Sequence, residues 1–159
     1  MPKRFTDEEY AEMLPKKQVG TAVLFFNSQG ELLIVKPDYK EGWLVPGGSC
    51  DDNESPLHCA LRETKEEIGL IVTSLELAGI YYAPKKEPFT DSLKFVFTGG
   101  VLSDEQISQI KLQTAELKEC AFASPEEAIP ILSPSLQRSV PECLRAIKER
   151  KVVYLDNVN

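Results

Sequence analysis

The sequence predicts an α+β domain in which helices are layered against a sheet. Apolar runs on either side of a turn predict a hairpin, with strands over 19–26 and 31–36. Apolar residues spaced three and four apart predict a central helix over 56–68 and a C-terminal helix over 135–150. Because 159 residues suffice for one core, a single domain over 1–159 is expected.

The remaining elements are predicted from local signals. Thr6 and Glu9 form a capping box, so residues 1–17 are expected to be an N-terminal helical extension. Short helices are expected after Ser103, as far as about residue 110, and after Ser124. Further strands are predicted over 71–82, 92–99 and 116–123.

The central helix has defined ends. Ser55 is a favourable N-cap, Pro56 suits the first helical position, and Gly69 suits a left-handed C-terminal residue. One apolar stripe is expected to face the core, and it comprises Leu57, Leu61, Thr64 and Ile68.

Three carboxylates lie on another face of this helix. Glu63, Glu66 and Glu67 are one, three and four residues apart, so their side chains cluster. Glutamates on a helix usually form a solvated face. Here, however, a glycine turn at 47–48 precedes the helix, and clustered carboxylates repel one another unless a cation lies between them. The pattern therefore predicts a divalent metal and a phosphate-containing ligand.

Residues 48–70, GSCDDNESPLHCALRETKEEIGL, resemble the signature box of the MutT-like Nudix hydrolase family. In that pattern a glycine, a glutamate, Arg-Glu, Glu-Glu and a final glycine–aliphatic pair stand at fixed spacings, and all of them are present. The one departure is Thr64, where an aliphatic residue is usual. Its hydroxyl is expected to bond a backbone carbonyl one turn back. The resemblance implies an α/β/α sandwich, the Nudix fold, with a mixed β-sheet between helices.

The resemblance also implies a metal site and a reaction. Glu63, Glu66 and Glu67 would hold Mg²⁺, with Mn²⁺ as an expected substitute, and the carbonyl of Gly47 would be a further ligand. One glutamate would orient or deprotonate the water that attacks the pyrophosphate link. Glu66 and Glu63 both remain candidates for that general base.

Other residues of the pattern receive supporting roles. Glu54 and Arg62 would brace the loop against the helix, with a phosphate clamp as the alternative role for Arg62, which is counted among the catalytic candidates. Gly48 and Gly69 complete the structural box. Outside the box, Glu116 or Glu119 resembles a supplementary metal ligand, and Glu116 is favoured.

Substrate contacts are predicted outside the box. Phe89, in a polar loop, and Tyr82 are candidates for stacking on a base, and Lys86 is a candidate for phosphate, as are Lys85 and Lys94. Packing or a solvated loop is the alternative for each of them.

The expected activity is Mg²⁺-dependent cleavage of a nucleoside diphosphate derivative, either a nucleoside triphosphate or a sugar nucleotide. Pro84 lies near the position at which ADP-ribose-type members carry a proline. The alternative is a catalytically silent Nudix-fold module that binds a nucleotide or metabolite. Loss of box glutamates would mark such a module, and none is lost.

Composition limits the partners. A net charge of −7 argues against a nucleic-acid polymer. No apolar run has the length of a membrane span, and the four cysteines are widely spaced, so a cytoplasmic protein without disulfides is expected. The N-terminal helix, expected to lie outside the sheet, is a candidate contact for a homodimer.

Overall fold

The computed structural model describes residues 5–156. Its helices are α1 (Asp7–Met13), α2 (Pro56–Ile68), α3 (Asp104–Ser108), α4 (Pro125–Ala128) and α5 (Pro134–Glu149), with a 3₁₀ turn at Ile129–Ile131. Its strands are β1 (Gln18–Phe26), β2 (Leu32–Pro37), β3 (Glu76–Ala83), β4 (Ser92–Val101), β5 (Leu117–Ala123) and β6 (Val153–Asp156).

The six strands form one mixed sheet in the order β5-β2-β1-β4-β3-β6. β1 runs parallel to β4, and β3 runs parallel to β6, while the other neighbours are antiparallel. α2 packs on one face and α5 on the other. The predicted α/β/α sandwich with a mixed sheet between helices is therefore confirmed.

Alternation along the strands divides the core into two layers. The layer beneath α2 includes Val23, Phe25, Leu33, Val35, Ala60 and Ile68. The layer beneath α5 includes Ala22, Leu24, Ile34, Val96, Val140 and Cys143. The sheet thus holds α2 and α5 at fixed positions relative to its strands.

The chain between β2 and α2 enters the sheet itself. β1 and β2 pair only where Phe26 meets Leu32, within the described residues, and residues 44–50 fill the gap that opens beyond that point. The filling segment is held by backbone hydrogen bonds from Leu44 to Val35 (2.8 Å), from Val23 to Pro46 (2.7 Å), from Thr21 to Gly48 (2.7 Å) and from Cys50 to Val19 (2.9 Å). The glycine turn is therefore fixed between the two layers.

The central helix has the predicted ends. Ser55 accepts a hydrogen bond from the His58 N–H at 3.2 Å, and Gly69 is left-handed with φ 74°. The Thr64 hydroxyl donates to the Ala60 carbonyl at 2.7 Å, as expected. These three local expectations are confirmed.

The predicted apolar stripe of α2 was partly wrong. Leu57 is 40% exposed, while Glu67, assigned to the acidic face, is only 9% exposed. The buried positions of α2 are Cys59, Ala60, Thr64, Glu67 and Ile68. The helix is rotated so that one carboxylate points under the glycine turn.

Some strand boundaries were also wrong. Residues 71–75 form no strand, because no described strand lies opposite them, and β3 begins only at Glu76. The helix after Ser103 ends at Ser108, and β6 was not predicted. β6 forms because the edge of β3 accepts Val153–Asp156 in parallel.

The N-terminal helix is present at Asp7–Met13 with its Thr6–Glu9 capping box. None of its residues is buried, and Tyr10 and Met13 are exposed. Within residues 5–156, no helix is both long enough and apolar enough to cross a membrane.

Candidate active site

The site is built around the Gly47–Gly48 turn. Gly47 has φ 144°, and a Cβ there would overlap the Thr21 carbonyl oxygen. A Cβ on Gly48 would overlap the carboxylate of Glu63. Gly47 therefore requires glycine, because its positive φ and the fixed Thr21 backbone exclude a side chain. At Gly48 a side chain would displace the Glu63 carboxylate from its position beside the turn.

Glu67 lies beneath this turn. Its Oε2 accepts a hydrogen bond from the Gly47 N–H at 2.8 Å, and this is the one hydrogen bond from a described residue to its carboxylate. Burial raises the pKa of Glu67 to about 7, with the Gly47 N–H opposing the shift and the charges of Glu63, Glu116 and Glu66 adding to it. A carboxylate that is buried and surrounded by like charge is energetically unfavourable without a cation.

Glu63 and Glu66 flank Glu67 on the helix. Arg62 Nη1 donates to Glu63 Oε1 at 2.9 Å and to Glu66 Oε2 at 3.0 Å. Burial nevertheless raises the pKa of Glu63, although Arg62 opposes the shift. Glu66 is the most solvent-exposed of the three carboxylates. The acidic cluster therefore extends from a buried to an open position.

Arg62 and Glu54 form the brace between loop and helix. Arg62 Nε and Nη2 donate to the two Glu54 oxygens, each at 2.8 Å, and Nη2 also donates to the Ser49 carbonyl at 3.3 Å. Hydrogen bonds from Arg62 and from the Asp51 N–H hold the pKa of Glu54 at about 2. The arginine pKa is raised in turn, first by Glu54. This bidentate geometry favours the bracing role over a phosphate clamp.

The placement of the two candidates outside the box differs. Glu116 immediately precedes β5, and its charge contributes to the raised pKa values of Glu63 and Glu67. Glu119 is exposed within β5, opposite Lys36. It is not among the largest contributors to the pKa shifts of Glu63 and Glu67. Proximity to the cluster therefore favours Glu116 as the supplementary ligand.

A cavity of about 200 Å³ opens on the other side of the turn. Gly47 and Gly48 line it together with Tyr39, Lys40 and Lys94. The pKa of Tyr39 is raised by burial and then by the charges of Glu67, Glu116 and Glu63. Tyr39 thus connects the cavity with the acidic cluster. The sequence analysis did not identify Tyr39 or Lys40, since no local signal brings residues 39–40 to the box.

Of the residues predicted to contact substrate, Lys94 lines this cavity, whereas Phe89, Lys86 and Tyr82 lie elsewhere. Phe89 is 61% exposed and Lys86 is also exposed, and neither lines this cavity. The Tyr82 hydroxyl donates to Asp91 at 3.1 Å, and Asp91 also pairs with Lys17. Substrate binding by Phe89, Lys86 and Tyr82 stays a prediction to which this geometry adds no support.

The donor set fits a hard divalent cation. Each of the three clustered glutamates keeps one oxygen without a hydrogen bond from a described residue: Glu63 Oε2, Glu66 Oε1 and Glu67 Oε1. Carboxylate oxygens are the ligands that Mg²⁺ and Mn²⁺ prefer. Burial is the main cause of the raised pKa values of Glu63 and Glu67, and the neighbouring carboxylates add to it. A bound cation would offset both effects.

A second group of potential ligands lies behind the brace. Ligand atoms of Cys50, Glu54 and Cys59 all lie within 4.8 Å of one another. Glu54 is already neutralised by Arg62, and burial raises the pKa of both thiols, that of Cys59 to about 12. Because thiolates are the metal-binding form of cysteine, this group is the poorer metal site.

A family model agrees with this geometry. The model of the NUDIX domain matches residues 16–143. The chain belongs to the Nudix family. The match covers both layers of the sandwich as well as the box.

Individual Nudix relatives extend the comparison. The chain is 28% identical over 138 residues to a Bacillus subtilis protein provisionally named an 8-oxo-dGTP diphosphatase, covering 87% of each chain. It is 31% identical over 113 residues to an RNA pyrophosphohydrolase of Hydrogenovibrio crunogenus, covering 63% of this chain and 67% of the relative. The crystal structure of a MutT protein from Methanosarcina mazei shares the fold, with a TM-score of 0.66 at 24% identity, covering 87% of this chain and 99% of that one.

Proposed function

We propose that this Nudix pyrophosphohydrolase cleaves the pyrophosphate link of a nucleoside triphosphate and requires Mg²⁺ or Mn²⁺ to do so. The observation that carries the proposal is the acidic cluster beneath the glycine turn. Glu67 is buried, receives one hydrogen bond from the Gly47 N–H, and has its pKa raised to about 7.

The proposed metal ligands are Glu63, Glu66 and Glu67, with the Gly47 carbonyl and Glu116 as further ligands. A bound divalent ion supplies charge neutralisation of the phosphates, polarisation of phosphorus and a more acidic bound water. The protein supplies position: Arg62 orients Glu63 and Glu66, and the Gly47 N–H orients Glu67.

The proposed substrate class rests on the names of the relatives and on the volume of the cavity beside the glycine turn. The Bacillus subtilis relative is named for a nucleoside triphosphate, and the match spans 87% of both chains. The 200 Å³ cavity has room for part of a nucleotide, since pockets that enclose whole small ligands are usually about 300 Å³ or more. A sugar nucleotide remains the second candidate within the same activity.

The proposed enzyme differs from a silent binding module in one testable respect. A module needs no catalytic carboxylates, whereas the box here retains Glu54, Glu63, Glu66 and Glu67. The proposal includes a cytoplasmic location and a single Nudix domain over 1–159, both of which stay predictions, as does a homodimer.

The test is release of phosphate or pyrophosphate from a substrate panel with Mg²⁺, Mn²⁺ or EDTA. The panel contains the common nucleoside triphosphates, 8-oxo-dGTP, nucleoside diphosphates, ADP-ribose, other sugar nucleotides and diadenosine polyphosphates. We expect metal-dependent cleavage of a nucleoside triphosphate. Silence across the panel, with thermal stabilisation by one ligand, would favour the binding module.

A further inference from the structure

A row of residues crosses the sheet towards the glycine turn on the α5 face. Tyr81 of β3 lies opposite Lys94 of β4, and Lys94 lies opposite Gly20 of β1. Gly20 in turn bridges to Ser49, next to Gly48. Directly paired residues project to the same face, so Tyr81 and Lys94 share the α5 side of the sheet.

The Lys94 side chain lies against Gly20, close to the glycine turn. A Cβ at Gly20 would lie 3.8 Å from Lys94 Cε and 3.2 Å from the Gly48 carbonyl oxygen. The lysine side chain therefore extends over Gly20 towards the turn, and it lines the 200 Å³ cavity.

Lys94 has no anionic partner within residues 5–156. Its ammonium group makes no hydrogen bond or ion pair with a described residue. Burial, and then the charge of Lys40, lower the pKa of Lys94. The lining of the cavity contains both lysines and no carboxylate, in a protein whose net charge is −7. A partly buried ammonium group without a partner is costly unless a ligand supplies the opposite charge.

Tyr81 is a second polar group without a partner. It is 4% exposed, and its hydroxyl makes no hydrogen bond with any described residue. Native proteins rarely leave such a group unsatisfied. A buried tyrosine and a half-buried lysine, neither with a partner among the described residues, therefore lie next to each other in one register row.

We propose that Lys94, assisted by Tyr81, forms an oxyanion subsite that binds a phosphate group of the substrate in the cavity beside Gly47 and Gly48. This inference rests on the proposed function for the identity of the substrate, but the subsite itself requires only a phosphate. Lys94 would bind a phosphate on the α5 face, separate from the box carboxylates. Its expected contribution is to substrate affinity rather than to the chemical step.

The first test uses inorganic pyrophosphate as the probe in metal-free buffer, with melting temperature as the readout. Wild type and the exposed α5 control Lys148→Met should both be stabilised by pyrophosphate. Lys94→Met should lose that stabilisation, and Lys94→Arg should retain part of it. Tyr81→Phe should reduce the stabilisation less than Lys94→Met does. Without ligand, Lys94→Met should melt no lower than wild type, because it removes an unpaired charge.

The second test measures kcat and KM with the substrate that the panel identifies. Lys94→Met should raise KM at least about tenfold, the ratio for one charge-assisted hydrogen bond, with a smaller change in kcat. Unchanged KM and unchanged pyrophosphate stabilisation in Lys94→Met would overturn the subsite while leaving the hydrolase intact. A different result would separate the two proposals. If wild type cleaves no substrate of the panel, and Lys94→Met alone among the variants loses stabilisation by pyrophosphate, the subsite stands and the proposed function fails.

Discussion

Two glutamates of the same box have opposite electrostatic environments. Glu54 is held by two Arg62 N–H groups at 2.8 Å and has a pKa of about 2. Glu67 receives one backbone N–H, lies buried among other carboxylates, and has a pKa of about 7. The first charge is neutralised within the chain, whereas the second is not. The comparison separates a structural carboxylate from one that calls for an external cation.

The largest effect is expected from Glu67→Gln. Turnover should fall at least about 100-fold, because a carboxylate proposed to bind the metal is lost. Melting temperature in metal-free buffer should stay equal or rise, since the amide removes an unfavourable charge and can still accept from Gly47. Unchanged turnover, measured at saturating Mg²⁺, would contradict the metal assignment. Glu66→Gln should also lower turnover strongly.

The pH dependence of stability tests the same carboxylate without catalysis. The Glu67 pKa lies at about 7 in the folded protein and at 4.5 in the reference state, so the folded state retains a proton that the unfolded chain releases. Stability of the metal-free protein should therefore fall as pH rises from 4.5 to about 7, by on the order of 2–3 kcal/mol. Glu63, whose pKa is also raised, adds to this loss.

Urea denaturation across this pH range measures the effect. Glu67→Gln is the control, and its stability should depend less on pH. Saturating Mg²⁺ should restore more stability at neutral pH than at acidic pH, because the ionised carboxylates bind the ion. An identical pH slope in wild type and Glu67→Gln would show that another group dominates.

A smaller effect is expected from Glu116→Gln. Glu116 contributes charge to the cluster from the start of β5, so turnover should fall by roughly tenfold or less. Glu119→Gln, three residues further on within β5, is the matched control and should leave turnover close to wild type. A loss as large as that of Glu67→Gln would make Glu116 a primary ligand, and a loss confined to Glu119→Gln would reverse the assignment.

The smallest effect is expected from Thr64→Val, which restores the aliphatic residue usual in the family pattern. The Thr64 hydroxyl bonds the Ala60 carbonyl within the helix, so its loss leaves no buried donor unpaired. Stability should change by less than about 1 kcal/mol and turnover should hardly change. A large loss of turnover would show that the hydroxyl affects the neighbouring glutamates.

Much of the local structure of the central helix could be predicted from the sequence. The caps at Ser55 and Gly69 and the Thr64 hydrogen bond follow from short-range patterns, whereas the α/β/α architecture was implied by the resemblance of residues 48–70 to the Nudix box. The rotation of α2, which buries Glu67 and exposes Leu57, could not be predicted from such patterns. It depends on the glycine turn above the helix.

The remaining features depend on contacts between distant parts of the chain. Residues 44–50 enter the sheet only because β1 and β2 separate beyond Phe26. β6 needs the free edge of β3, and the cavity needs residues 39–40 beside Lys94. No window of sequence contains both partners of such contacts, so periodicity and capping signals cannot locate them.

The most direct test of the central comparison is Mn²⁺ binding, measured by electron paramagnetic resonance, to wild type, Glu67→Gln and Glu54→Gln in parallel. We predict that Glu67→Gln weakens Mn²⁺ binding at least about tenfold, while Glu54→Gln weakens it far less and mainly lowers the melting temperature. Equal binding by wild type and Glu67→Gln, or a loss confined to Glu54→Gln, would contradict the account and move the metal towards the Cys50–Glu54–Cys59 group.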